Sequence, residues 1–377
     1  MTSDELLIQE ALAAEDADES ERAERAVHDL LAAGPQALRC VLSAAVERAD
    51  RHHPSLYEVV RRSTGPEAVP VLLAHTGAGP HALEAAVLYA LARSDGDEGP
   101  DQVEAILADR TALYTTRAAA AEALQGAARP AAGEVLREVL AEQHREPENP
   151  EWPLLLVATA VALATTGDHS GAAALRSLLA SPHELARAMA VGAYRLVLDE
   201  DSLRLLARAL ADPGIEVRRE AVDPVFLIGS PAAADLLLRS AREDLDDQVR
   251  YNALIRFGDI AGLALGGDPE NLPFADERWR ELRDTLDPAV CHRFGVPITL
   301  ADLVEEFTDE ELLRTSVAEE LRLLTGVDVP TAYARHGLDA ALRSVRDVPF
   351  TTGRIHKWGH LRPMPSPVAG HIPLPRA

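Results

Sequence analysis

Only two of the 377 residues are cysteine, Cys40 and Cys291, and neither stands in a Cys-x-x-Cys spacing. That excludes a disulfide framework and a cysteine-rich zinc site and leaves buried thiols as the expectation. Aromatic residues make up 4% of the chain against a hydrophobic fraction of 47%. The apolar mass is Leu, Ala and Val, which suits closely packed helices better than a β-sandwich rich in Tyr, Phe and Thr. Lysine is nearly missing, Lys357 being the single example among 37 basic residues. No apolar run approaches the ~18 residues of a membrane span. The N-terminus opens Met-Thr-Ser-Asp-Glu, without a basic and then apolar leader. These absences predict a cytoplasmic protein with no membrane partner.

What the chain has in excess is negative charge: 61 acidic residues give a formal net charge of −24. Phosphate backbones are bound by dense basic footprints, so nucleic acid is excluded as the expected partner. An acidic surface favours solubility and attracts basic or Arg-rich protein partners.

Internal repetition is the decisive pattern. Gly34-Pro35, Gly65-Pro66 and Gly99-Pro100 each open a segment with Leu, Val or Ile on one face, and Pro130, Gly171, Ser202 and Ser230-Pro231 open four more. A second segment alternates with the first and carries an Arg three residues before an Ala: Arg117 and Ala120, Arg187 and Ala190, Arg218 and Ala221, Arg250 and Ala253. The Ala permits close helix approach, and the Arg can reach carbonyls or carboxylates of a neighbouring unit. Helix starts are marked by Asp212-Pro213, Ser230-Pro231 and Ser181-Pro182, with capping-box spacings at Ser181/Glu184, Thr64/Glu67 and Thr308/Glu311.

The stretches DPGIEVRREAV (212–222) and DLDDQVRYNAL (244–254) resemble the short HEAT repeats of bilin-lyase-type bacterial helical solenoids. The resemblance covers roughly residues 30–260. It implies an all-α, right-handed α-solenoid of about seven to eight HEAT-like helix pairs with a C-terminal helical cap. It says little about activity, because many functions use this scaffold. The segments around Gly34–Ser43, Gly65–His75, Gly99–Asp109, Pro130–Glu142, Gly171–Ser181, Ser202–Asp212 and Ser230–Asp244 are expected to line the concave face.

Four regions follow. Residues 1–30, with ten acids against two basic residues, form a polar helical cap; 31–258 hold the repeats. Residues 259–345 open on a Gly/Pro-rich crossover and continue as a helical module capping the last repeat. Residues 346–377 form a basic, proline-rich tail, with five basic residues against Asp347 alone. Its prolines favour extended chain. The tail either folds back on the acidic repeats, burying Trp358, Ile372 and Leu374, or serves as an arm for a partner; folding back is favoured.

No catalytic constellation, cofactor cradle or metal set emerges. His356 and His360 are four apart, but prolines nearby oppose a helix and no His-Glu-x-x-His accompanies them. His183-Glu184 resembles one of the His-Glu dyads of deoxyhypusine hydroxylase, yet it stands alone and Glu184 is assigned to capping. HEAT-like alkylpurine DNA glycosylases need a basic face, which this chain lacks. The candidate partner-binding residues are Trp152, Trp358, His356 and Arg354, aromatic anchors and cations outside the repeats. The reading is a non-catalytic protein–protein adaptor or scaffold using the concave face of an acidic solenoid. The alternative is a small-molecule or cofactor-handling lyase or isomerase on the same scaffold.

Overall fold

The computed structural model describes the chain apart from residues 1, 18, 49–50, 52, 78, 127–128, 144–151, 310–313, 358–359, 362–364 and 366–377. The described residues form helices in antiparallel pairs, as short Gly- and Pro-marked loops require. In chain order they are α1 (Ser3–Asp16), α2 (Ser20–Ala32), α3 (Pro35–Glu47), α4 (Pro54–Arg62), α5 (Val69–Leu73), α6 (His81–Ala92), α7 (Glu98–Ala108), α8 (Tyr114–Ala123), α9 (Pro130–Gln143) and α10 (Trp152–Thr165). They continue as α11 (His169–Leu178), α12 (Glu184–Ala193), α13 (Ser202–Ala209), α14 (Ile215–Ile228), α15 (Pro231–Glu243), α16 (Asp247–Ala261) and α17 (Leu272–Leu282). The last four are α18 (Leu300–Asp309), α19 (Arg314–Thr325), α20 (Val329–His336) and α21 (Leu338–Val345). The fold class is an all-α solenoid.

The chain forms two compact units. One is Met1–Gly171 with Leu303–Arg322 and Val327–Asp347; the other is Ala172–Asp302 with Leu323–Gly326 and Val348–Ala377. In the first unit α4, α6, α8 and α10 pack on one another in turn; in the second α12, α14 and α16 do the same. The odd-numbered helices approach one another less closely. The cause is side-chain size: Ala118, Ala119, Ala120 and Ala121 of α8, and Ala186, Ala188 and Ala190 of α12, are buried at the even-helix contacts. The even helices thus form the closer-packed layer of each unit; the odd helices, which open at the Gly-Pro signals, are the ones expected to line the concave side.

Capping follows the sequence in part. Ser230 caps α15, its hydroxyl accepting from the Ala233 N–H at 3.2 Å. Asp212 and Ser181 lie outside the helices they were expected to cap: α14 begins at Ile215 after Gly214, and α12 at Glu184 after His183. Asp212 instead accepts from the Gly214 N–H at 2.8 Å, turning the chain before the helix. Among the described residues the reciprocal caps are Thr2 with Glu5 and Thr299 with Asp302, not Ser181 with Glu184 or Thr64 with Glu67; the expected pair Thr308/Glu311 falls on Glu311, outside the described residues.

The C-terminal module divides. Helix α17 closes the second unit: the Trp279 ring meets Phe257 edge-on at 5.3 Å, and its Nε1–H donates to Asp235 at 2.8 Å. The segments after Asp302 belong mainly to the first unit, so the expected cap on the last repeat ends near α17. There α20 packs against α4, and the Arg62 guanidinium lies 5.0 Å over the Tyr333 ring. Arg322, 3% exposed, donates to the carbonyl of Gln125 at the end of α8. Gly126, at φ 72°, makes room for it, since an added Cβ would overlap the Arg322 guanidinium. A cation at a helix C-terminus opposes the negative end of the helix dipole.

Two short hairpins were not expected from the sequence. In the first, β1 (His292–Arg293) pairs with β2 (Val296–Pro297) around Phe294 and Gly295, both at positive φ. His292 N–H donates to Gly229 O at 2.8 Å, Phe294 N–H to Asp259 O at 2.5 Å and Gly295 N–H to Ile260 O at 3.1 Å. The hairpin thus satisfies carbonyls left open where α14 and α16 end. In the second, β3 (His356–Lys357) pairs with β4 (His360–Leu361). The backbone just before β3 is tied down: Cys291 N–H donates to Gly353 O at 2.6 Å, and Gly353 N–H to Ile298 O at 2.8 Å. The start of the tail is therefore folded rather than polyproline-like. The expected fold-back of Trp358, Ile372 and Leu374 lies outside the described residues.

Candidate protein-binding surface

The repeat arginines form a buried ladder in the second unit. Arg187 donates through Nε and Nη2 to Asp212 at 2.9 and 2.8 Å, and through Nη1 to Ser181 O at 2.9 Å. One repeat on, Arg218 donates through Nε to Asp244 at 2.9 Å and through Nη1 to Asp212 O at 2.9 Å. Arg250 repeats the carbonyl contact, reaching Asp244 O at 2.8 Å, and pairs with Asp247. The Arg187 and Arg218 forks each join their own inter-helix turn to the turn of the next repeat, a geometry that lysine cannot reproduce. In the first unit Arg117 does the same with Leu107 O at 2.9 Å and Glu142 at 3.2 Å. These arginines are structural and not available to a ligand.

The outward side of the same helices carries further acids, several of them paired with arginine. Glu184 of α12 accepts from the Glu216 N–H at the start of α14 at 3.3 Å. It caps the next repeat's helix rather than its own, and Gly214 leaves room for its carboxylate. Arg219 binds both Glu216 and Asp246 at 2.9 Å, which ties α14 to α16. Its hydrogen bond holds the Asp246 carboxyl below the usual carboxylate range. Asp223 accepts from Arg256 at 2.8 Å.

Between Glu216 and Asp223 stands Glu220, with no ion pair or hydrogen bond among the described residues. Its Oε2 lies 2.5 Å from where a Cβ on Gly192 would be, so the carboxylate rests in the groove between α12 and α14 over a residue that has no side chain. The residue as a whole is open to solvent. The surrounding helices nonetheless strip part of the water from the carboxylate. Burial, followed by repulsion from Asp223, raises its pKa above the ordinary glutamate value, and Arg195 offsets this only in part. The helix adds a further acceptor, because Pro224 inside α14 has no N–H to give the Glu220 carbonyl.

Three of the four residues singled out from the sequence are described. Trp152, half-buried, is the first residue of α10 in the first unit. His356, in the second unit, is 5% exposed: its ring stacks on Phe350 at 4.5 Å and its Nε2 accepts from the Thr351 N–H at 2.9 Å. Burial keeps its pKa below the ordinary histidine value, and the ring packs inward instead of facing a partner. Arg354 is half-buried in the turn before β3, and Trp358 lies outside the described residues. Among the described residues, no cluster of His, Cys, Asp and Glu has metal-binding geometry. No described helix is long and apolar enough to cross a membrane. Glu220 and Gly192 escaped the sequence reading because neither belongs to the repeat signature.

Residues 172–256, the segment that carries the most regular units, match the family model of HEAT repeats. Among solved structures the chain is similar to the complex of CpcE and CpcF of phycocyanin lyase from Nostoc sp. PCC7120, at 20% identity and a TM-score of 0.37, covering 63% of this chain and 94% of that one. It is also similar to human deoxyhypusine hydroxylase in complex with glycerol, at 18% identity and a TM-score of 0.31, covering 66% of this chain and 97% of that one. No curated protein matches.

Proposed function

We propose that the chain is a non-catalytic adaptor or scaffold that binds a basic or Arg-rich segment of a partner protein on the outer side of α12, α14 and α16. The observation that carries this reading is Glu220. A carboxylate set in a groove, partly desolvated and pressed by Asp223, gains more from an incoming guanidinium than a fully hydrated one does. The net charge of −24 adds long-range attraction that salt screens. In the first unit the even helices are partly covered by the chain itself, since α20 packs on α4.

The test is binding of a fluorescent Arg-rich peptide, read by anisotropy, to three proteins of defined charge. Glu220→Gln with Asp223→Asn removes two charges from the groove; Glu134→Gln with Glu138→Gln removes two from α9. The reading expects the groove variant to lose about tenfold in affinity, about 1.4 kcal/mol, while the α9 variant stays close to wild type. Equal losses in both would show attraction by bulk charge and overturn the reading.

A further inference from the structure

Three large apolar side chains stand in water at the starts of successive even helices in the second unit. Leu185, the second residue of α12, is 58% exposed; Ile215, the first of α14, is 44%; Leu245, just before the Asp246 cap of α16, is 59%. They fall 30 residues apart in both intervals. Single exposed apolar residues are ordinary, but one per repeat along one edge is not scatter. The polar links described above make that edge continuous. Glu184, beside Leu185, reaches the Glu216 N–H next to Ile215, and Arg219 joins Glu216 to Asp246 next to Leu245. Acids alternate with the apolar side chains along it: Glu184, Glu216, Asp246 and Asp247. Arg219 and Arg250 offset part of this charge, and the four acids leave the ridge net negative.

We propose that this edge is a docking ridge for an extended basic segment of a partner protein that presents an apolar side chain at every third residue. Packed helices lie about 8–10 Å apart. A polyproline II chain has three residues per turn and rises about 3.1 Å per residue, so every third side chain recurs on one face after about 9 Å. One apolar contact per repeat is then met by one per turn of the ligand, and the residues between carry the positive charge that faces the acids. A helical ligand would present same-face residues about every 5–6 Å, roughly two for each apolar contact of the ridge. The inference rests on the acidic-surface reading above and adds the register and the partner's chemistry.

The test is a pair of labelled peptides of identical composition: one repeating Leu-Arg-Pro, the other with the same residues rearranged so that no two Leu are three apart. Each is titrated by anisotropy into wild type, into Leu185→Ser/Ile215→Ser/Leu245→Ser, and into Glu220→Gln/Asp223→Asn. All three apolar sites are exposed, and unchanged thermal melting checks that the triple variant is folded. The expected result is that the three-residue register binds wild type about tenfold more tightly than its rearrangement, and that the triple variant erases this preference while keeping salt-sensitive binding. Equal affinity of the two peptides for wild type, or an unchanged preference in the triple variant, overturns the ridge. If that occurs while the Glu220 variant still weakens both peptides, the ridge falls and the acidic-surface reading stands. If the Glu220 variant binds both as wild type does, that reading falls as well.

Discussion

Arg218 and Asp244 meet inside the second unit, with the guanidinium forked across both carboxylate oxygens at 2.9–3.2 Å and the Asp244 side chain 0% exposed. The pair joins the turns of two successive repeats. Removing one partner strands the other charge in the interior, at a cost of about 3–5 kcal/mol. Arg218→Ala is therefore expected to lower the stability of the second unit by that amount in urea unfolding. Arg219→Ala, one residue on but 38% exposed at the side chain, is expected to cost about 1 kcal/mol or less.

The first unit depends on a different arginine. Gly126 sits at a positive φ that other residues adopt at a cost of about 1–2 kcal/mol, and any Cβ there displaces Arg322. Gly126→Ala is expected to destabilise this unit and to raise the amide exchange rates of α19 above those of α4. Exchange in α19 that matches wild type would contradict the assignment of Arg322 as its anchor.

Much of this architecture was legible because the HEAT signature is itself a statement about contacts. An Arg three residues before an Ala places a guanidinium beside a close helix approach, and Arg187 and Arg218 reach the next repeat as that spacing implies, whereas Arg250 bonds within its own. Other features were hidden. The even helices take the closer layer because of Ala on their contact faces, whereas the Gly-Pro signals draw attention to the odd ones. Phe294 at φ 51° is a turn residue that composition does not reveal, since Asn or Gly would be the usual occupant. The return of α20 to α4 is a contact between residues far apart in sequence, which no local pattern encodes. Glu220 is unremarkable in sequence; Gly192, on the preceding even helix and far from it along the chain, gives it its setting.

Histidine titration supplies a pH prediction. Burial lowers the pKa of His292 below the ordinary histidine value. A base held below its unfolded pKa contributes stability that is complete above that unfolded value, near 6.5, and is lost as pH falls through the folded pKa. The second unit is expected to melt at lower temperature as pH falls from 7 towards 5. His292→Leu should flatten that dependence, and an unchanged slope would count against it.

Glu220 predicts the opposite sign. Its carboxyl pKa is raised in the fold, so its stabilising contribution is present below the ordinary glutamate pKa and is lost as pH rises through the folded value. Glu220→Gln should therefore raise the melting temperature of the free protein at pH 7 and leave it unchanged near pH 4. A residue whose neutralisation stabilises the free chain and weakens ligand binding is set for the ligand.

The central claim is tested most directly by affinity purification from native lysate, at low and at high salt, of the tagged chain beside its Glu216→Gln/Glu220→Gln/Asp223→Asn variant, followed by mass spectrometry. The account predicts a stoichiometric protein partner with a basic segment, captured by the wild-type chain, released as salt rises and absent from the variant. A partner held equally by both proteins, or a small molecule co-purifying with no protein at all, would contradict it.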